Sequence, residues 1–121
     1  MDGARSQNTV GPDAIVRVNG GEPQSGLVPS DTNENMGGRV VDSLFTGLYS
    51  YQADGTPELA NAEAVETADN KHFVVKLRRD WKFTDGTPVK AQNYVRAWNF
   101  GAAIGNLQKQ QSFYAPIAGF D

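Results

Sequence analysis

Two Asp-Gly-Thr-Pro segments, at residues 54–57 and 85–88, divide the chain into short elements. An Asp-Gly pair supplies the positive φ that a tight turn requires, because glycine has no Cβ to clash in that conformation. The residues around both segments are short apolar runs with either alternating or helical spacing. The chain is therefore expected to reverse at both segments and to form an α+β arrangement of small strands and at least two helices.

Composition excludes several classes of protein. With 121 residues, 39% of them hydrophobic and 21% charged, the chain has enough apolar material for a modest core and is not expected to be disordered. Its net charge of −3, without a concentrated basic face, argues against a nucleic-acid or anionic-membrane partner. The absence of Cys removes disulfide scaffolds and thiol chemistry. Residues 1–12 have no signal-peptide core, so any export signal is expected to have been removed.

The first half of the chain contains the clearest periodic patterns. Residues 14–18 predict a β-strand, and residues 20–35 predict a long loop rich in Gly, Pro, Ser and Asn. A helix of about four turns is predicted by apolar residues at helical spacing; they are Met36, Val40, Val41, Leu44, Phe45 and Leu48. Residues 62–67 and 72–78 predict two strands of a hairpin.

The second half begins with a short predicted strand at residues 81–83. Thr87 is expected to cap a second helix with Pro88 at its first position, and Gly101 or Gly105 is expected to end that helix. Its predicted buried side chains are Val89, Tyr94, Val95 and Trp98. A polar loop is predicted at residues 106–112, followed by a hydrophobic anchor made of Phe113, Tyr114 and Ile117.

This order of elements leaves the first predicted strand without an obvious partner. The imbalance favours a truncated domain over a complete one. An unpaired strand edge promotes pairing with another chain, so a domain-swapped or edge-paired dimer of the fragment is a further expectation.

Four segments resemble a known family. Residues 18–25, 44–48, 54–60 and 73–91 are similar, in this order, to the family 5 extracellular solute-binding proteins. These are the oligopeptide-, dipeptide- and nickel-binding receptors of ATP-driven (ABC-type) importers. Residues 77–91 are the most specific part of the resemblance, and residues 117–121 resemble the oligopeptide-binding members.

The resemblance implies an α/β fold of the type II periplasmic-binding-protein kind, of which this chain would be the N-terminal part of a two-lobed receptor. Residues 1–13 would be a flexible leader, 14–35 the first strand and cleft loop of the ligand-contacting lobe, and 36–121 an incomplete extra subdomain. The partners implied are a peptide or other small solute and the permease subunits, without a cofactor. The protein would be periplasmic or extracellular, touching the membrane only through a removed lipid anchor or the permease.

The resemblance also places a loop on the rim of the ligand cleft, made of Asn19, Gly20, Gly21, Glu22 and Pro23. Glycine allows a bound peptide to approach the backbone closely, and a Glu22 carboxylate accepts hydrogen bonds directly or through water. The alternative is that Glu22 only fixes the conformation of the loop.

No set of residues predicts catalysis or a metal site. His72 is the single histidine, and it has no nucleophile or second ligand arranged around it in sequence. Residues 85–88 are accounted for by a turn that leads into a capped helix, while Trp81 and Trp98 are expected in the core. A non-catalytic binding protein is therefore the leading interpretation. A docking module without a ligand, or a small hydrolase, is the alternative.

Overall fold

The computed structural model describes residues 11–15 and 17–120. Its elements follow one another as a helix, two antiparallel hairpins and a second helix, ending in two short 3-10 turns. Their bounds are α1 Asn35–Leu44, β1 Tyr49–Tyr51, β2 Pro57–Leu59, β3 Ala62–Glu66, β4 Val74–Leu77 and α2 Ala91–Ala102. The 3-10 turns are Ile104–Asn106 and Gln111–Tyr114. The expected α+β character is confirmed, with two separate two-stranded sheets.

The strand predicted at residues 14–18 is not formed by the described residues. Ala14, Ile15, Arg17 and Val18 have no strand conformation, and Val16 lies outside the described residues. Ile15 and Val18 are each 83% exposed. A β-strand is defined by its ladder hydrogen bonds, and no described strand lies beside this segment to provide them.

Helix α1 begins as predicted but ends earlier. Its N-cap, Glu34, accepts hydrogen bonds from the backbone N–H groups of Met36 and Gly37. The chain turns extended at Phe45, with φ −119° and ψ 134°. The prediction that the helix reaches Leu48 was therefore wrong, and the apolar periodicity beyond Leu44 belongs to the approach to β1.

Both Asp-Gly turns form as predicted and share one geometry. Gly55 and Gly86 have φ of +85° and +86°. In each turn the preceding aspartate, Asp54 or Asp85, accepts a hydrogen bond from the backbone N–H two residues later, at 2.9 and 2.8 Å. The first turn joins β1 to β2, in which Tyr51 pairs with Pro57. The second joins an isolated bridge between Lys82 and Pro88, so residues 81–83 do not form the predicted strand.

The β3–β4 hairpin confirms the predicted pairing of two strands. Val65 lies opposite Val75, and the register shifts between Ala62 and Ala64. The connection is held by Asp69, whose Oδ1 accepts from the N–H groups of Lys71 and His72 at 2.9 and 2.8 Å. These donors, above all the backbone N–H of His72, lower the pKa of Asp69 to about 2.

Acid is expected to loosen this turn. Because the folded-state pKa of Asp69 is depressed, its stabilisation is present above pH 3.8 and is lost as the pH falls towards about 2. NMR spectra recorded across that range should show the amide resonances of Lys71 and His72 moving together. An Asp69→Asn control should remove this coordinated shift, and unchanged amide resonances in the unsubstituted chain would contradict the assignment.

Helix α2 begins three residues after the predicted position. Thr87 donates to Asp85 Oδ1 at 2.7 Å, and Pro88 is engaged in the bridge to Lys82, so neither starts the helix. The N-cap is Lys90, whose N–H donates to Asn93 Oδ1 at 2.8 Å. The helix ends at Ala102, just after Gly101, and part of the predicted loop 106–112 belongs to the two 3-10 turns.

Burial is low throughout the described residues. Ala62 is fully buried, whereas Val95 and Trp98, predicted as core side chains of α2, are 52% and 39% exposed. Both were expected in a closed core, but the elements facing them do not cover them. Phe113 is likewise 75% exposed. None of the described helices combines the length and apolar character needed to cross a membrane.

Candidate ligand-binding loop

The five predicted site residues lie together in one irregular segment ahead of α1. Asn19, Gly20, Gly21 and Glu22 are exposed, and Pro23 is half-buried. The Glu22 carboxylate makes no hydrogen bond or ion pair with a described residue. A Cβ placed on Gly20 would meet no atom of the described residues within 4 Å, so these residues leave the backbone at Gly20 open to an approaching molecule. We call residues 19–24 the ligand loop.

Three contacts attach the ligand loop to the start of α1. The Gly21 N–H lies 3.2 Å from Met36 Sδ, and the Gln24 N–H donates to Glu34 Oε1 at 3.2 Å. Arg39 Nη1 makes a longer contact of 3.4 Å with the carbonyl oxygen of Asn19. The loop therefore runs antiparallel to the first turns of the helix.

Glu34 connects the two segments electrostatically. Its Oε1 accepts from Gly37 N–H and its Oε2 from Met36 N–H, both at 2.8 Å. The Gly37 N–H is the main cause of a lowered Glu34 pKa, with smaller contributions from Gln24, Met36 and the positive charge of Lys109. These contacts favour the ionised carboxylate, which is the form that accepts hydrogen bonds most strongly.

The segment that follows the ligand loop is anchored by residues 108–110. Gln110 donates from its N–H to Ser30 O at 2.9 Å and from Nε2 to Thr32 O at 2.7 Å. Ser30 Oγ donates to Gln108 Oε1 at 2.8 Å. Lys109 Nζ donates to Ser25 Oγ. Two parts of the chain that are 78 residues apart thereby hold each other.

Thr32 is the buried centre of this junction. It is 5% exposed, and its Oγ1 lies 2.9 Å from the carbonyl oxygens of both Gly26 and Val28. One hydroxyl hydrogen is shared between these two acceptors. A Cβ on Gly37 would lie 2.8 Å from the Thr32 methyl group, so the packing at this point depends on a glycine.

A separate cavity of about 440 Å³ lies between the end of α1, residues 81–84 and α2. Its lining is largely apolar and includes Phe45, Trp81 and Phe83. Asn61 faces it and donates from Nδ2 to the Tyr94 hydroxyl at 2.6 Å. Asn61 Oδ1 is buried without a hydrogen-bond partner in the described residues. Nothing in the sequence patterns predicted this cavity.

No arrangement for catalysis is evident in the ranges 11–15 and 17–120. His72 Nδ1 lies 2.6 Å from Asp69 Oδ2, but their side chains are 90% and 47% exposed, and the pair belongs to the β3–β4 turn. Among the same residues, no three His, Cys, Asp or Glu side chains are close enough to hold a metal ion. The contact between His72 and Asp69 therefore belongs to the structure of the β3–β4 turn.

Comparison with curated proteins gives consistent relatives. The chain is 36% identical over 109 residues to the periplasmic oligopeptide-binding protein OppA of Escherichia coli. This alignment covers 88% of this chain and 20% of OppA. It is 38% identical over 86 residues to the oligopeptide-binding protein OppA of Bacillus subtilis, covering 70% of this chain and 16% of the relative. No family model matches the chain.

Solved structures agree with these relatives in fold. The unliganded open form of MppA, a periplasmic murein tripeptide binding protein, superposes with a TM-score of 0.71 at 28% identity, covering 78% of this chain and 18% of MppA. The chain belongs to the family 5 solute-binding proteins. The peptide-bound OppA of Listeria monocytogenes, a solute-binding protein as well, gives a TM-score of 0.67 at 28% identity, over 76% of this chain and 20% of that one.

The alignments cover only a small part of each relative. The chain spans about a fifth of the length of the curated solute-binding proteins that it matches first. The family resemblance and the fold class expected from the sequence are both confirmed. The division at residues 14–35 and 36–121 and the ligand role of residues 19–23 stay predictions.

Two residues that hold the ligand loop and the segment after it in place were not predicted from the sequence. Glu34 was missed because the usual N-caps are Ser, Thr, Asp and Asn, and a glutamate before a helix gives no such signal. Gln110 was missed because it lies in a polar segment far from the loop in sequence. Only its backbone and side-chain bonds in the folded chain identify it.

Proposed function

We propose that this chain is the N-terminal part of a two-lobed receptor that captures peptides in the periplasm or at the cell surface and delivers them to an ATP-driven importer. The main support is the 36% identity with a periplasmic oligopeptide-binding protein over 88% of the chain. Residues 14–35 would belong to the ligand-contacting lobe and residues 36–121 to an extra subdomain. The receptor would bind its ligand without catalysing a reaction.

In this proposal, the ligand loop contributes backbone and carboxylate contacts at the edge of the cleft. Gly20 leaves room for a peptide main chain, whereas the Met36 side chain lies against Gly21. Glu22 accepts hydrogen bonds from peptide N–H groups or from bridging water. Such contacts recognise the backbone that all peptides share, whereas side chains occupy roomier pockets. The exposed position of Glu22, whose carboxylate has no hydrogen-bond partner among residues 11–15 and 17–120, supports this assignment.

Binding by the whole receptor and by this chain alone should differ. We expect the full gene product that carries this segment to retain peptides from a pool of random tri- to pentapeptides, as identified by native mass spectrometry. The 121-residue chain should show no measurable binding in calorimetry, because too few contacts remain to offset an association cost of about 4 kcal/mol or more.

The contribution of Glu22 is tested in the full receptor with the tightest peptide from that pool. Glu22→Gln should weaken binding, whereas Glu58→Gln, a matched change at an exposed position of β2, should not. Peptide hydrolysis by the receptor, or micromolar binding by the isolated chain, would contradict the proposal. Failure of the unsubstituted receptor to retain any peptide would overturn it.

A further inference from the structure

One carboxylate joins the ligand loop to the scaffold. Glu34 accepts three backbone N–H groups, two from the first turn of α1 and one from Gln24, the residue directly after Pro23. The two helical donors lie at 2.8 Å, and Gln24 lies at 3.2 Å. The same oxygen, Oε1, serves both Gly37 and Gln24, so the end of the loop and the start of the helix share an acceptor.

The other attachments of the ligand loop to α1 are weaker, one because of its acceptor and one because of its length. Met36 offers Gly21 a thioether sulfur, which is a poor acceptor. The Arg39 guanidinium is charged, but its contact with Asn19 O is long, at 3.4 Å, beyond the usual range of a hydrogen bond. A charged carboxylate forms hydrogen bonds about twice as strong as neutral ones. The bond between Glu34 and Gln24 is therefore the principal link from the helix to the loop.

The residues around Glu34 fix the position of its carboxylate. Gly37 leaves space beside it, since a Cβ there would lie 2.2 Å from Oε1. The positive charge of Lys109 stabilises the ionised carboxylate, and Lys109 in turn holds Ser25, the residue after Gln24. Glu34 thus lies where the helix, the ligand loop and residues 108–110 converge.

We propose that Glu34 is a positioning residue for peptide binding: it sets the conformation of residues 19–23 through Gln24 and does not touch the ligand. This inference rests on the proposed function, because it assigns Glu34 a role in the same site. Glu34 then has two roles: it caps α1 and it holds the ligand loop. A shorter side chain at the same position can keep the first role and lose the second.

Glu34→Asp is the separating variant. Aspartate is a preferred N-cap, so α1 should keep its cap, but the side chain is one methylene shorter and no longer reaches Gln24. We expect unchanged thermal stability and a peptide affinity about tenfold weaker in the full receptor. Glu34→Ala should lower both stability and affinity. Asp42→Asn, at an exposed position of the same helix, is the control and should change neither.

A second measurement uses the 121-residue chain and needs no ligand. In NMR titrations, the amide protons of Gln24, Met36 and Gly37 should shift together as Glu34 ionises, below the ordinary pKa of a glutamate. In the Glu34→Asp variant, Gln24 should leave this group while the two helical amides remain. An unsubstituted chain in which Gln24 does not follow the titration would overturn the proposed link.

The outcomes distinguish the two proposals. Loss of the Gln24 shift together with weaker peptide binding in Glu34→Asp supports the positioning role. Loss of the shift with unchanged affinity overturns that role, while leaving peptide capture intact as the function. Absence of peptide binding by the unsubstituted receptor overturns the proposed function itself, whatever the titration shows.

Discussion

Replacing Gly37 with alanine is expected to destabilise the chain, although the same change one residue later should stabilise it. Both glycines lie in α1, where alanine is normally favoured by about 1 kcal/mol. A Cβ on Gly38 would meet nothing within 4 Å. A Cβ on Gly37 would lie 2.2 Å from Glu34 Oε1 and 2.8 Å from the Thr32 methyl group, closer than any relaxed contact allows.

The clash caused by a Cβ at Gly37 cannot be relieved without loss of stability. Glu34 can swing away, but the first turn of α1 then loses its cap and Gln24 loses its acceptor. Thr32 is 5% exposed and is tied to two carbonyl oxygens, so it cannot yield easily. Overpacking of this kind costs about 1–3 kcal/mol. In chemical denaturation, the free energy of unfolding should fall in Gly37→Ala and rise in Gly38→Ala. Equal changes in the two variants would contradict the described packing.

Replacing Gly101 with alanine is expected to separate α2 from the second 3-10 turn. A Cβ on Gly101 would lie 2.7 Å from the Tyr114 hydroxyl oxygen and 2.8 Å from its Cε2. The Tyr114 ring therefore packs directly against the backbone of the buried Gly101. Displacing that ring should cost about 1–3 kcal/mol, which lowers Tm by roughly 2–8 °C for each kcal/mol in a chain of this length.

Two controls accompany the Gly101 prediction. Gly105→Ala adds the same methyl group where nothing lies within 4 Å and should leave Tm nearly unchanged. Adding Tyr114→Ala to Gly101→Ala removes the clash, so the double variant should be less destabilised than the sum of the two single changes. Strict additivity would show that Gly101 and Tyr114 do not interact.

Local chemistry explains which elements the sequence predicted correctly. The turns at Gly55 and Gly86 and the β3–β4 hairpin follow from rules that involve a few neighbouring residues. The start of α2 was misplaced for an equally local reason. Thr87 and Pro88 match an N-cap and a first helical position, but the Asp85 carboxylate and the bridge to Lys82 engage them first.

The remaining discrepancies depend on distant parts of a chain. Residues 14–18 have the composition of a strand, but a strand needs a partner and no described strand provides one. Val95 and Trp98 have the spacing of core residues, yet burial requires an element on the other side. The position of the ligand loop was suggested by family resemblance, whereas the bonds of Glu34 to Gln24 and of Gln110 to Thr32 join residues whose pairing no local pattern predicts.

The long separation between Thr32 and Gln110 has a consequence for biosynthesis. Their hydrogen bond joins residues 78 positions apart, so the segment after the ligand loop emerges from the ribosome well before Gln110 has been synthesised. At 5–20 residues per second, that interval lasts about 4–16 s. Throughout that interval the segment lacks its bonds to residues 108–110, so its final conformation can form only after this part of the chain has been made.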